Sequence, residues 1–184
     1  LLCILITVAF NLSSMCSVYA AKTETKHFII SYPENYEEIM PEVKSKLENN
    51  YELILVHLSH IDFDDYISVE IYSNLKDFHE AIGADAPDWV KGVFQGGRIK
   101  VLIEDSNFDR AITLITHEMT HIITRSLNSG FIPIILFEGI ATYEAGQFYL
   151  VDRLKDLKKI PDIEELFSMN QGNKFLGSAK RGDL

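Results

Sequence analysis

His117-Glu118-Met119-Thr120-His121 sets two imidazoles four residues apart with a carboxylate between them. On a helix, positions four apart share one face about one turn along the axis, so both rings can reach a single ion. Neutral imidazole suits zinc, a borderline ion that favours nitrogen and sulfur donors. Glu118 is offset by one residue from the first imidazole and can approach a water at such an ion without displacing a histidine. Zinc lowers the pKa of that water towards about 7. A carboxylate in this place can take its proton and deliver hydroxide to a carbonyl. The same five-residue pattern also arises by chance, in which case the histidines are polar residues on an exposed helical stripe.

A catalytic zinc site takes three protein ligands and keeps a further position for water. Downstream stands Pro133-Ile134-Ile135-Leu136-Phe137-Glu138-Gly139-Ile140-Ala141. Together the two segments resemble the gluzincin superfamily of metallopeptidases, in particular its peptidase MA-like domains. Those read HExxH, a short loop, then Pro-x-Trp-Leu-x-Glu-Gly-x-Ala. The resemblance covers residues 98–147, and Ile135 stands where the family often has Trp. It implies that Glu138, borne on the next helix, joins His117 and His121 as a zinc ligand. It also implies a zincin-like fold and hydrolysis of peptide or protein substrates, with Glu118 as general base and later proton donor. No metzincin histidine or glycine spacer follows His121.

The residues around Glu138 carry further expectations. Gly139 would let its helix pack closely against the metal helix. Some gluzincins have an aspartate one turn after the glutamate that orients a zinc histidine. Thr142 stands there, so the orienting partner is unassigned and Thr142 is a candidate to touch the ligands. Tyr143 and Tyr149 are the nearest candidates for an oxyanion donor. Glu144 reads as a solvated charge, and His27, His57, His60 and His79 as surface or satisfied histidines. Gluzincins commonly present an edge strand beside the zinc; Arg98 to Glu104 is either that strand or an internal strand of the sheet, and the sequence does not separate the two.

The elements that must position these residues follow from periodicity and turn chemistry. Strand patterns cover residues 27–32, 66–72 and 98–104; helical spacing covers 36–60 and 75–82, the latter closed by Gly83. Asp109 is the expected N-cap of the metal helix, which runs to about Leu127 and ends at Asn128-Ser129-Gly130. A second helix is expected from Pro133 to Tyr149 and beyond, and a short one from Ile163 to Met169. The loop with Pro87 and Trp89 leads to a Gly96-Gly97 turn. Strands first and helices afterwards is the order of an α+β fold: a small N-terminal, mostly antiparallel sheet packed on helices that include the metal helix.

Composition bounds the rest. The 184 residues fit one domain, and 47% hydrophobic residues can build a sizeable core. A formal charge of -10 without a basic cluster argues against nucleic acid as a partner. Leu1 to Phe10 reads as the apolar core of a signal peptide that begins upstream, with Val18-Tyr19-Ala20 as a cleavage site. The expectation is an exported domain, periplasmic or extracellular, from residue 21 onward, without a stable membrane span after cleavage; an uncleaved anchor is the alternative. Both cysteines, Cys3 and Cys16, fall in that leader, so neither disulfides nor cysteine catalysis serve the mature domain. The chain stops at Lys180 to Leu184 without a closing element, which leaves open a missing C-terminal helical part. An exported zinc-binding interaction or assembly module without turnover, or hydrolysis of another amide or ester, are the competing functions.

Overall fold

The computed structural model describes residues 21–59, 63–104, 106–126 and 132–147. The leader, Tyr149 and the helical run at 163–169 lie outside them. Five strands, β1 (Ala21–Glu24), β2 (Phe28–Tyr32), β3 (Ile67–Tyr72), β4 (Gly92–Gln95) and β5 (Arg98–Leu102), form one sheet in the order β1-β2-β3-β5-β4. Four α-helices among the described residues accompany it: α1 (Met40–His57), α2 (Leu75–Ile82), α3 (Phe108–Ser126) and α4 (Ile134–Glu144). The class is α+β.

The sheet is mixed, and this corrects the expectation of a mostly antiparallel one. β2 runs parallel to β3 and β3 parallel to β5, while only the outer pairs β1/β2 and β4/β5 are antiparallel. A helix lies in the connection between each pair of parallel neighbours, which is what parallel pairing requires. Strands and helices therefore interleave as far as β5; among the described residues, α3 and α4 follow the sheet.

Alternation along the strands builds the core. Phe28 and Ile30, Ile67, Val69 and Ile71, and Ile99 and Val101 turn one face inward. Against that face lie Val43, Leu47, Tyr51 and Ile54 of α1 and Ile112, Ile115, Met119 and Ile123 of α3. On the opposite face Tyr72 and Leu102 cluster with Phe78 of α2. No helix among the described residues is long and apolar enough to cross a membrane.

Two strands escape a reading by pattern. β1 is short, with alternate residues exposed, and β4 follows directly on the Trp89 loop. Gly96 and Gly97 close the β4–β5 hairpin with φ of 62° and 76°, the left-handed values a two-residue turn of this kind demands. The N-cap of α3 is Asn107, whose Oδ1 accepts from the Arg110 amide at 3.1 Å. Asp109 sits in the first turn instead and pairs with Lys46 of α1 at 2.8 Å.

Candidate metal centre

The buried stripe of α3 fixes the helix against the sheet, and the adjoining stripe carries His117, Glu118 and His121. The Nε2 atoms of His117 and His121 lie 3.1 Å apart, and each is 3.5 Å from Oε2 of Glu138 on α4. These three donors form a candidate metal-binding group. A tetrahedral zinc with ligands at about 2.0–2.1 Å holds its donors about 3.3 Å apart, so the residues present fit the ion. Protons occupy the same donors when no ion does. The hydrogen bonds from His117 and His121 hold the Glu138 carboxyl down at about 2, against the effect of burial. Burial works against a charge on His117, but the hydrogen bond to Glu138 and the charges of Glu118 and Glu138 outweigh it and raise its pKa.

That competition has a measurable sign. Metal ligation needs neutral imidazole, and His117 holds its proton to a higher pH than an ordinary histidine. Apparent zinc affinity is expected to fall steadily as pH is lowered from about 8 to about 6, with proton release on binding. Titration against a chromophoric chelator at several pH values reads both.

α4 begins where Pro133 leaves the extended region, and it ends earlier than the sequence pattern suggests. Gly146 takes φ 66° just past the helix; its amide bonds to the Tyr143 carbonyl and the Gln147 amide to that of Thr142, both at 3.0 Å. This is a Schellman closure. It reverses the chain so that the buried Gln147 side chain meets His117, with Oε1 3.0 Å from Nδ1. As acceptor for an Nδ1–H, Gln147 leaves Nε2 of His117 directed at the other donors. Gln147 is thus the orienting partner that the sequence did not assign. Its signal was the glycine after the helix, which fixes where the next residue returns.

His121 is held by other means. Its ring stacks on Phe137 with centroids 4.1 Å apart and planes at 22°. Its Nδ1 is buried without a hydrogen-bond partner among the described residues. Glu118 is half-buried beside the donors. Burial raises its pKa, His117 and His121 pull it down, and Glu138 adds to the rise; the nearby backbone of Phe94 in β4 lowers it slightly.

β4, not Arg98 to Glu104, is the edge strand beside the centre. β5 is paired on both sides, to β3 and to β4. Leu102 donates to the Lys91 carbonyl at 2.8 Å, and alternation from that bond through the register turns the main-chain groups of Gly92 and Phe94 away from β5. Gly92 also sets how closely β4 lies on α3, because a Cβ there would stand 3.2 Å from Cβ of Leu114. Gly92→Ala is expected to lower unfolding stability in urea by about 1–3 kcal/mol, the usual range for overpacking.

The remaining candidates divide. Gly139 has nothing within 4 Å of an added Cβ, so close helix packing does not demand a glycine there. Thr142 enters the site through its carbonyl, which holds the Gln147 amide. Tyr143 is exposed, its ring 6.4 Å from that of His57. Glu144 is not a solvated charge: its side chain is 6% exposed and lies 2.8 Å from Nδ1 of His57, tying α4 to the end of α1. Glu144 faces α1 because it stands seven residues after Phe137, on the same inward side of the helix. His27 is satisfied by Glu48 at 2.6 Å and stacks on Tyr51, and His79 lies 3.8 Å from Asp88. No protein-family model matches the chain, and no curated protein matches it at a significant level.

Proposed function

We propose that this chain is a zinc-dependent metallopeptidase of the gluzincin kind, with a zincin-like fold, acting on peptide or protein substrates after export. The observation that carries the reading is the meeting of three convergent donors, His117, His121 and Glu138, with Glu118 and the outward groups of an edge strand. Zinc bound there would supply the Lewis acidity that makes water a nucleophile near neutral pH.

The chain's own residues supply the rest. An extended peptide can pair with the outward main-chain groups of Gly92 and with the Phe94 carbonyl, which sets its scissile bond alongside α3. Glu118 accepts a proton from the attacking water and returns it to the departing amine. Gln147 keeps His117 in the tautomer that ligates through Nε2. A strand edge unpaired among the described residues favours a peptide over a small amide or ester, because main-chain pairing recognises an extended backbone.

Metal analysis of the purified protein, with cleavage of a peptide library before and after chelation, tests the proposal. Bound zinc and chelator-sensitive cleavage are expected. Protein that takes up no metal would sink it. Metal without any cleavage would move the reading to an exported zinc-binding interaction or assembly module.

A further inference from the structure

The two histidines of the donor set are steadied in different ways. His117 has a polar restraint, the 3.0 Å contact from Nδ1 to Gln147. His121 has none at the corresponding atom, since its buried Nδ1 meets no hydrogen-bond partner among the described residues. An imidazole on a single sp³–sp² torsion with no such bond turns within a broad well. What limits that rotation here is a flat face. Phe137 lies 4.1 Å from the His121 ring, centroid to centroid and nearly parallel to it.

We infer that Phe137 is the positioning residue of His121, an aromatic plane doing for the second imidazole what the Gln147 amide does for the first. Two further features fit this role. Arg125 stands one turn after His121 on α3, and its guanidinium carbon lies 5.1 Å from the centroid of the same Phe137 ring. α3 therefore grips that ring at two points, on positions four apart that share a face. In addition, Phe137 is covalently adjacent to Glu138. The ring that orients the second donor thereby sets the backbone that presents the third, and the register of α4 on α3 fixes both together.

The inference rests on the metal reading and holds whether or not a peptide is cut. Its test uses cobalt as a spectroscopic probe and compares Phe137→Met, which keeps apolar bulk and loses the plane, with Phe137→Tyr, which keeps the plane. Phe137→Met is expected to bind cobalt about tenfold more weakly, as for loss of an orienting partner, and to show an altered ligand-field spectrum. Phe137→Tyr is expected to stay close to the unsubstituted protein in both. In metal-free unsubstituted protein the His121 ring protons should be shifted upfield by the stacked ring, measured by NMR with His117 as the internal reference. That measurement needs neither a variant nor a metal.

Cobalt binding by Phe137→Met that equals the unsubstituted protein would overturn the inference. So would Phe137→Tyr weakened as far as Phe137→Met, which would make the residue a matter of packing alone. Absence of the upfield shift would overturn it even if Phe137→Met fails to fold. Unsubstituted protein that binds no cobalt would bring down the metal reading and this inference with it, whereas the other outcomes leave the metal reading standing.

Discussion

Glu118→Gln is expected to keep its zinc and to lose about 10² to 10⁴ in kcat for peptide cleavage, the range a positioned acid–base group contributes. The reason lies in the separation of roles. Glu118 is outside the donor triad of His117, His121 and Glu138, so an amide in its place leaves those three atoms where they are. Glutamine has nearly the same shape and fills the same half-buried place beside the donors. The capacity to take and return a proton is lost, together with the negative charge that helps to raise the His117 pKa. Burial raises the Glu118 pKa, with Glu138 adding to the rise and the two histidines opposing it. A general base works deprotonated, so kcat is expected to fall on the acid side as Glu118 takes up its proton. Steady-state kinetics from about pH 5 to 8, with zinc content measured on the same samples, check both points. Cleavage unaffected by the substitution would remove Glu118 from the chemistry and leave the metal.

Glu138→Ala is expected to weaken zinc binding by more than about 100-fold, beyond the roughly 10–100-fold typical of an orienting partner, and to abolish cleavage. Gln147→Ala is expected to fall inside that lower range. The two residues approach the centre by different routes. Glu138 brings the one anionic donor, an oxygen 3.5 Å from both imidazole nitrogens. Without it two neutral nitrogens are left, one protein ligand short of a catalytic zinc site. Gln147 touches His117 on the far ring nitrogen, so its loss frees the ring without removing a donor. Thermal unfolding gives an independent reading. At zinc one hundred times its dissociation constant, binding adds about 2.7 kcal/mol to stability. The unsubstituted chain should therefore melt higher as zinc is added, and Glu138→Ala should not respond at the same zinc concentration. A zinc response in Glu138→Ala equal to that of the unsubstituted chain would remove Glu138 from the ligand set. Equal losses for the two variants would show that Gln147 does more than orient a ring.

What the sequence by itself determined about this protein is its local geometry. His117 and His121 are four apart on a segment with helical periodicity, and helix geometry alone then puts both rings on one face. Gly83 ends α2 where expected, and Gly96-Gly97 marks the turn into β5, because glycine is the residue that takes positive φ without strain. The strands β2, β3 and β5 and the core face of α3 were legible for the same reason: their side chains alternate or recur with the period of the backbone.

Only the tertiary structure decided the contacts between segments distant along the chain. Gln147 reaches His117 across thirty residues because Gly146 reverses the chain after α4, and no period in the sequence encodes that return. Glu144 looked solvated until α1 brought His57 to it. The parallel core of the sheet, and with it the placing of β4 at the edge instead of β5, follows from which strands the helical connections carry side by side. Residue spacing fixes which groups of one helix can meet an ion. Which strand edge, which ring plane and which amide stand around that ion depends on how the helices and the sheet pack, because each such contact joins residues whose separation along the chain carries no geometric information.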